Sequence, residues 1–127
     1  MKVGFIGTGN MGRILIEAMV ESNALPPSSV MITNRTISKA KAIREKYKEI
    51  TVVKDSEEVA NQCDLIFLCV KPLDMIECIK KIHPHLSNDN CVVSITSPIT
   101  VEQLQSLLPC SVARIIPSIT NRAKAGV

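Results

Sequence analysis

The feature that most constrains this chain is Gly7-Thr8-Gly9-Asn10-Met11-Gly12, a GxGxxG set between a short apolar run and a stretch of helical periodicity. Glycines at that spacing are unfavourable inside a strand or a helix, so the chain must change direction there. Lys2 to Ile6 predicts a first strand. From Asn10 the apolar positions Met11, Ile14, Leu15, Ala18 and Met19 follow the i, i+3, i+4, i+7, i+8 spacing of one helix face. In a strand-turn-helix context each glycine has a physical task. Gly7 permits the tight turn, Gly9 lets the backbone approach an anion with no side chain in the way, and Gly12 lets the helix lie close to the sheet. The backbone N–H groups from Asn10 onward are then left for that anion, and the helix dipole favours negative charge at the same place.

The rest of the chain repeats the alternation. Val30 to Thr33, Ile50 to Val53, Leu65 to Val70, Cys91 to Ile95 and Val112 to Ile116 read as further strands. Ser38 to Tyr47 reads as a helix with Ala40, Ile43 and Tyr47 inward and its lysines mostly solvated. Asp55 or Ser56 can cap a short helix, with Glu57 and Glu58 well placed against its dipole. Leu65 to Val70 is almost continuously apolar, which suits a central parallel strand buried on both faces, and Pro72 can open the helix that follows. Thr100 with Gln103 forms a capping box for a helix carrying Val101, Leu104, Leu107 and Leu108 that Pro109 ends. Strands alternating with helices predict an α/β fold: a Rossmann-like, doubly wound parallel sheet of about six strands with helices on both faces.

Length and composition exclude several other classes. A chain of 127 residues holds one core, and 46% apolar residues are too many for disorder. No apolar run approaches the roughly 18 to 20 residues of a membrane span, and Met1 to Ile6 is too short for a signal peptide, so the expected compartment is the cytoplasm. A net charge of +3 with one Tyr and two Phe offers neither the basic footprint nor the stacking platform of a nucleic-acid binder. Five cysteines, Cys63, Cys69, Cys78, Cys91 and Cys110, have no close pair of metal-ligand type and read as small buried hydrophobes. His83 and His85 bracket Pro84 at a helix end, so no metal site is expected.

A strand-GxGxxG-helix unit predicts a dinucleotide pyrophosphate on the helix N-terminus, and the end of the second strand selects the dinucleotide. An acid there would accept hydrogen bonds from the ribose 2′-OH of NAD. The sequence instead reads Thr33-Asn34-Arg35-Thr36, with a guanidinium able to pair with a 2′-phosphate or lie across adenine, so NADP is the expected cofactor. The nicotinamide end should lie where the strand order reverses, beside Cys69-Val70-Lys71-Pro72 at the end of the fourth strand. A thiol flanking a buried strand, with no histidine placed beside it, is expected to be inert. No catalytic residue is assigned.

Together GFIGTGNMG, the NRT after the second strand, DLIFLCVKP, VVSITSP and ARIIPSITN resemble the pyrroline-5-carboxylate reductases over essentially the whole chain. Within that family the likeness is narrowest to a competence-related bacterial branch. The resemblance implies an N-terminal NADP-binding domain followed by a helical domain that dimerises and completes the pocket for a small imine. Residues 1–127 match the first part, and Asn121 to Gly126 read as the start of a connection to the second. By position, Gly7, Thr8, Gly9, Asn10, Met11 and Gly12 would hold the pyrophosphate, Asn34, Arg35 and Thr36 the 2′-phosphate end, and Cys69, Val70, Lys71 and Pro72 the ribose and nicotinamide. Ser56 stands where the reductases often carry an Asn near the adenosine.

Two departures lie near the expected reaction centre. The reductases tend to have a glycine after the fifth strand where this chain has Ser97-Pro98, and a Met-Pro-Asn-Thr-Pro pattern where it has Ile116-Pro117-Ser118-Ile119-Thr120. They leave cofactor binding largely untouched and bear instead on whether the reaction is that of proline biosynthesis. The expected function is therefore hydride transfer to a C=N carbon by a longer, oligomeric protein, with residues 1–127 alone inactive. The alternative is a nucleotide-binding regulatory or interaction protein that kept the fold and lost the reaction.

Overall fold

The computed structural model describes residues 1–7, 10–95 and 111–115. Six strands, β1 (Val3–Ile6), β2 (Val30–Thr33), β3 (Thr51–Val52), β4 (Leu65–Leu68), β5 (Cys91–Ile95) and β6 (Ser111–Ile115), form one sheet in the order β3-β2-β1-β4-β5-β6. Every pairing is parallel. Between them run α1 (Asn10–Glu21), α2 (Ile37–Lys46), α3 (Ser56–Gln62) and α4 (Pro72–Ile82). This is the Rossmann-like α/β architecture that the alternation predicts. Among the described residues, no helix is long and apolar enough to cross a membrane.

The sheet separates two apolar layers because strand residues point alternately to its two faces. Val3, Phe5, Val30, Ile32 and Phe67 pack with Ile16 and Val20 of α1 and with Ala40 and Ile43 of α2. Ile6, Met31, Ile66, Leu68 and Val92 pack with Val59 and Cys63 beside α3 and with Met75, Ile79 and Ile82 of α4. Phe5 and Phe67 sit directly opposite one another on β1 and β4, their rings stacked with centroids 4.9 Å apart. Such a pair contributes about 0.5–1.5 kcal/mol beyond the area it buries. On the other face of β1, Gly4 makes room for α3: a Cβ there would lie 2.3 Å from Val59 Cγ1 and 2.9 Å from Cys63 Sγ.

Several boundaries differ from the sequence reading. β1 begins at Val3, β3 keeps only Thr51 and Val52, β6 is Ser111–Ile115, and α2 starts and stops one residue earlier, at Ile37 and Lys46. β4 ends at Leu68 because its neighbour leaves the sheet at Gly7, whose φ is +87°; the Cys69 N–H donates to the Ile6 carbonyl at 2.8 Å. Asp55 does occupy the N-cap of α3, but its side chain makes no capping hydrogen bond; its carbonyl instead accepts from the Glu58 N–H at 3.2 Å. Pro72 opens α4 as expected.

The inward face of α1 needs correction. Ile14 is 42% exposed and Ala18 is exposed, while Gly12, Ile16 and Val20 are buried. Helix α1 is apolar on more than one side, so periodicity alone admits several faces. The closest approach decides: a Cβ on Gly12 would stand 2.8 Å from the Gly7 carbonyl oxygen and 3.1 Å from Cys69 Cβ, which turns the 12, 16, 20 stripe inward. Thr8, Gly9, Ser97, Pro98, the Thr100–Gln103 capping box with its helix, Pro109, Cys110, Ile116 to Thr120 and the Asn121–Gly126 segment lie outside the described residues.

Candidate functional site

The strand order reverses at β1, whose carboxyl end lies between those of β2 and β4. Ile6 stands opposite Thr33 on one side and Leu68 on the other, and the Gly7 N–H donates to the Thr33 carbonyl at 2.9 Å. The three strand ends are thereby held level. Above them the chain departs in different directions, toward α1 from β1 and toward α2 and α4 from its neighbours. That leaves the crevice in which open parallel sheets bind ligands.

At the described ends of the glycine turn, Gly7 and Gly12 meet requirements of a phosphate cradle. Gly7 has a conformation L-residues rarely adopt, and a Cβ there would lie 2.8 Å from the Cys69 carbonyl oxygen. Gly12 seats the first turn of α1 directly behind it. No acidic residue stands in that first turn to compete with an anion for the helix N-terminus. Gly7 and the first turn of α1 thus fit a dinucleotide pyrophosphate.

A cleft of about 350 Å³ opens from this turn along the ends of β2 and β4. It brings together Gly7, Asn34, Arg35, Thr36, Ser56, Cys69, Val70 and Lys71 of the sequence-predicted set. Asn10, Met11 and Gly12 belong to the first turn of α1, and Pro72 is the first residue of α4. Asn34 donates from Nδ2 to the Thr36 carbonyl at 2.9 Å and so holds the loop after β2. Ser56 begins α3 and lines the same cleft as Cys78. Lys39, Lys54 and Lys81 also line the cleft, together with the acids Asp55, Glu57 and Glu77.

The residue that sequence reasoning missed is Asp74. It lies in the first turn of α4, and its Oδ1 pairs with Arg35 Nη2 at 2.9 Å across the cleft. No acid follows β2 in sequence, yet an acid reaches the same loop from two strands away. The strand order is the one signal that could have found it, because it sets the start of α4 beside the end of β2.

Burial disfavours the thiolate form of the thiols beside this cleft. Burial pushes Cys69 up to about 12, and Cys78 up to about 11 despite nearby Lys81, which favours its thiolate. His83 and His85 are exposed, and His85 Nδ1 lies 3.2 Å from Asn61 Oδ1. Among the described residues, no three His, Cys, Asp or Glu side chains are grouped to hold a metal ion.

The family described as NADP oxidoreductase, coenzyme F420-dependent, matches residues 2–98, from the entry into β1 to beyond β5. The chain belongs to that family. It is 54% identical over its whole length to the ComE operon protein 4 of Bacillus subtilis, covering 46% of that protein. It is 31% identical to the pyrroline-5-carboxylate reductase of Escherichia coli over 99% of this chain and 47% of the reductase. The solved pyrroline-5-carboxylate reductase of Coxiella burnetii superposes with a TM-score of 0.77 at 26% identity, over 84% of this chain and 39% of that one. The chain thus spans about half the length of the curated relatives it matches. It is an NAD(P)-binding oxidoreductase-like domain related to pyrroline-5-carboxylate reductase.

Proposed function

We propose that this domain binds NADP(H), and that the longer protein to which it belongs uses it to reduce a small cyclic imine. The carrying observation is the combination of the Gly7–Gly12 cradle with Arg35, rather than an acid, on the loop after β2. Gly7 and the first turn of α1 would hold the pyrophosphate, Arg35 and Lys39 the 2′-phosphate, Ser56 the adenosine side, and Cys69, Val70, Lys71 and Pro72 the nicotinamide half. When bound, the reduced nicotinamide supplies hydride. The described residues bind and orient it, and a partly buried Cys69 thiol with a raised pKa adds no competing charge. The relatives' greater length supports a further domain that completes the substrate pocket and pairs two copies, so residues 1–127 alone are expected to bind nucleotide and turn over nothing.

The first experiment is a melting-temperature comparison at fixed protein concentration with NADPH, NADH or neither. A ligand at a hundredfold excess over its Kd stabilises the folded state by about 2.7 kcal/mol. The expected result is a larger upward shift with NADPH, lost in Arg35→Asp. No shift with either nucleotide in the full-length protein would refute the cofactor assignment.

A second reading is a nucleotide-binding regulatory protein without turnover. It is favoured by Ser97-Pro98 and Ser118-Ile119, which depart from the reductase pattern beside the expected reaction centre. Full-length protein that binds NADPH but oxidises it with no cyclic imine would select this reading.

A further inference from the structure

We propose that Asp74 tunes dinucleotide selectivity, competing with a 2′-phosphate for Arg35 and offering its own carboxylate to a 2′-hydroxyl. The inference rests on the cofactor assignment above and goes further, because it makes the site accept both nicotinamide dinucleotides.

The argument begins with the loop after β2. In dinucleotide-binding folds of this type, an acid at that point accepts hydrogen bonds from the adenosine ribose and repels a 2′-phosphate, whereas an arginine does the reverse. Here the loop carries Arg35, and α4 delivers Asp74 to it at 2.9 Å. Both chemistries therefore meet at one place, from elements 39 residues apart.

Exposure shows which partner can move. The Arg35 side chain is 75% exposed and the Asp74 side chain 29%, so the carboxylate lies against the wall and the guanidinium at the rim. Asp74 is further fixed in the first turn of α4, where its backbone N–H donates to the Lys71 carbonyl at 2.9 Å. A carboxylate is also favourable near that helix N-terminus. With no nucleotide bound, Asp74 occupies the guanidinium that a 2′-phosphate would use.

The consequences differ for the two ligands. A 2′-phosphate must take Arg35 from Asp74 and sit near an uncompensated carboxylate. Lys39, Lys54 and Lys81 line the same cleft, but so do Asp55, Glu57 and Glu77, so these charges do not cancel that repulsion. A 2′-hydroxyl needs no displacement and can donate to Asp74 while Arg35 stays paired. Selectivity for NADPH over NADH is therefore modest in the native protein, and removing the carboxylate should sharpen it.

The test is calorimetric titration of full-length protein with NADPH, NADH, adenosine 2′,5′-bisphosphate and adenosine 5′-monophosphate. The last two isolate the adenosine end from any contribution of the nicotinamide site. Asp74→Asn should raise the NADH-to-NADPH ratio of Kd values by about tenfold, the scale of one charge-assisted hydrogen bond. The 2′,5′-bisphosphate should gain over the monophosphate by a similar factor. Asp74→Glu, which keeps the charge, should leave both ratios near the native values, and 0.5 M salt should shrink the gain in Asp74→Asn.

Equal changes for both dinucleotides in Asp74→Asn, or a loss of NADPH affinity alone, would overturn the proposal while leaving the cofactor assignment standing. Failure of every ligand to bind the native protein would overturn both.

Discussion

At the scale of single residues, glycine at position 7 is a requirement of backbone geometry. Its φ is +87°, and an added Cβ would press on the Cys69 backbone at 2.8 and 2.9 Å, atoms that cannot swing aside. Gly7→Ala should cost about 2–4 kcal/mol, the left-handed penalty plus overpacking, and abolish nucleotide binding. Chemical denaturation and NADPH titration of the variant check both parts. Ser94 poses the opposite problem. It is fully buried on β5, and its Oγ has no hydrogen-bond partner among the described residues. Ser94→Ala removes a buried hydroxyl without a described partner, so the unfolding free energy should hold or rise by about 1 kcal/mol at most, and the melting temperature should not fall. A clear fall would mean that the hydroxyl is bonded.

At the scale of elements, the helix-to-sheet contacts explain what was legible in the sequence and what was not. The parallel strands were readable because runs such as Leu65 to Leu68 are apolar without alternation, and that pattern fits only burial on both sides. The glycine turn was readable for the same reason that it works: its spacing permits few other backbones. The inward face of α1 was not readable from periodicity, since Ile14 and Ile16 are equally apolar. Gly12, which brings the helix closest to the strand ends, fixed that rotation. Asp74 was invisible because its partner lies 39 residues away, and local spacing carries no record of which strands become neighbours. Gly4 belongs to the same class of tertiary contact. Gly4→Ala should lever α3 from β1, where Val59 Cγ1 would be 2.3 Å from the new methyl, costing about 1–3 kcal/mol or more. Double substitution with Val59→Ala should recover part of that loss, and a double-mutant cycle of unfolding energies reads the coupling.

At the scale of the whole molecule, buried and partly buried thiols on the two faces of the sheet link stability to alkaline pH. Burial raises Cys63 and Cys78 to about 11 and Cys69 to about 12, from an ordinary 9.0. Cys63 and Cys78 belong to the α3/α4 layer, and Cys69 packs against the α1/α2 layer. A thiol whose folded value is raised stays protonated in the native state while the unfolded chain ionises. The unfolded state then binds fewer protons, and stability falls as pH rises. The contribution of each thiol is complete below about pH 9 and is lost progressively toward its folded value. Within that interval the slope approaches about 1.4 kcal/mol per pH unit per thiol. Tyr47, raised by burial and its hydrogen bond to Glu21, and Lys46, raised by Glu17, add losses of the same sign, but from ordinary values of 10.0 and 10.5. Denaturant unfolding between pH 8 and 10 therefore isolates the thiols best. The midpoint should hold up to about pH 9 and fall increasingly steeply toward pH 10, and that fall should flatten when Cys63, Cys69 and Cys78 are together replaced by Ala. A native-like slope in the triple variant would assign the alkaline sensitivity to other groups and return the thiols to packing alone.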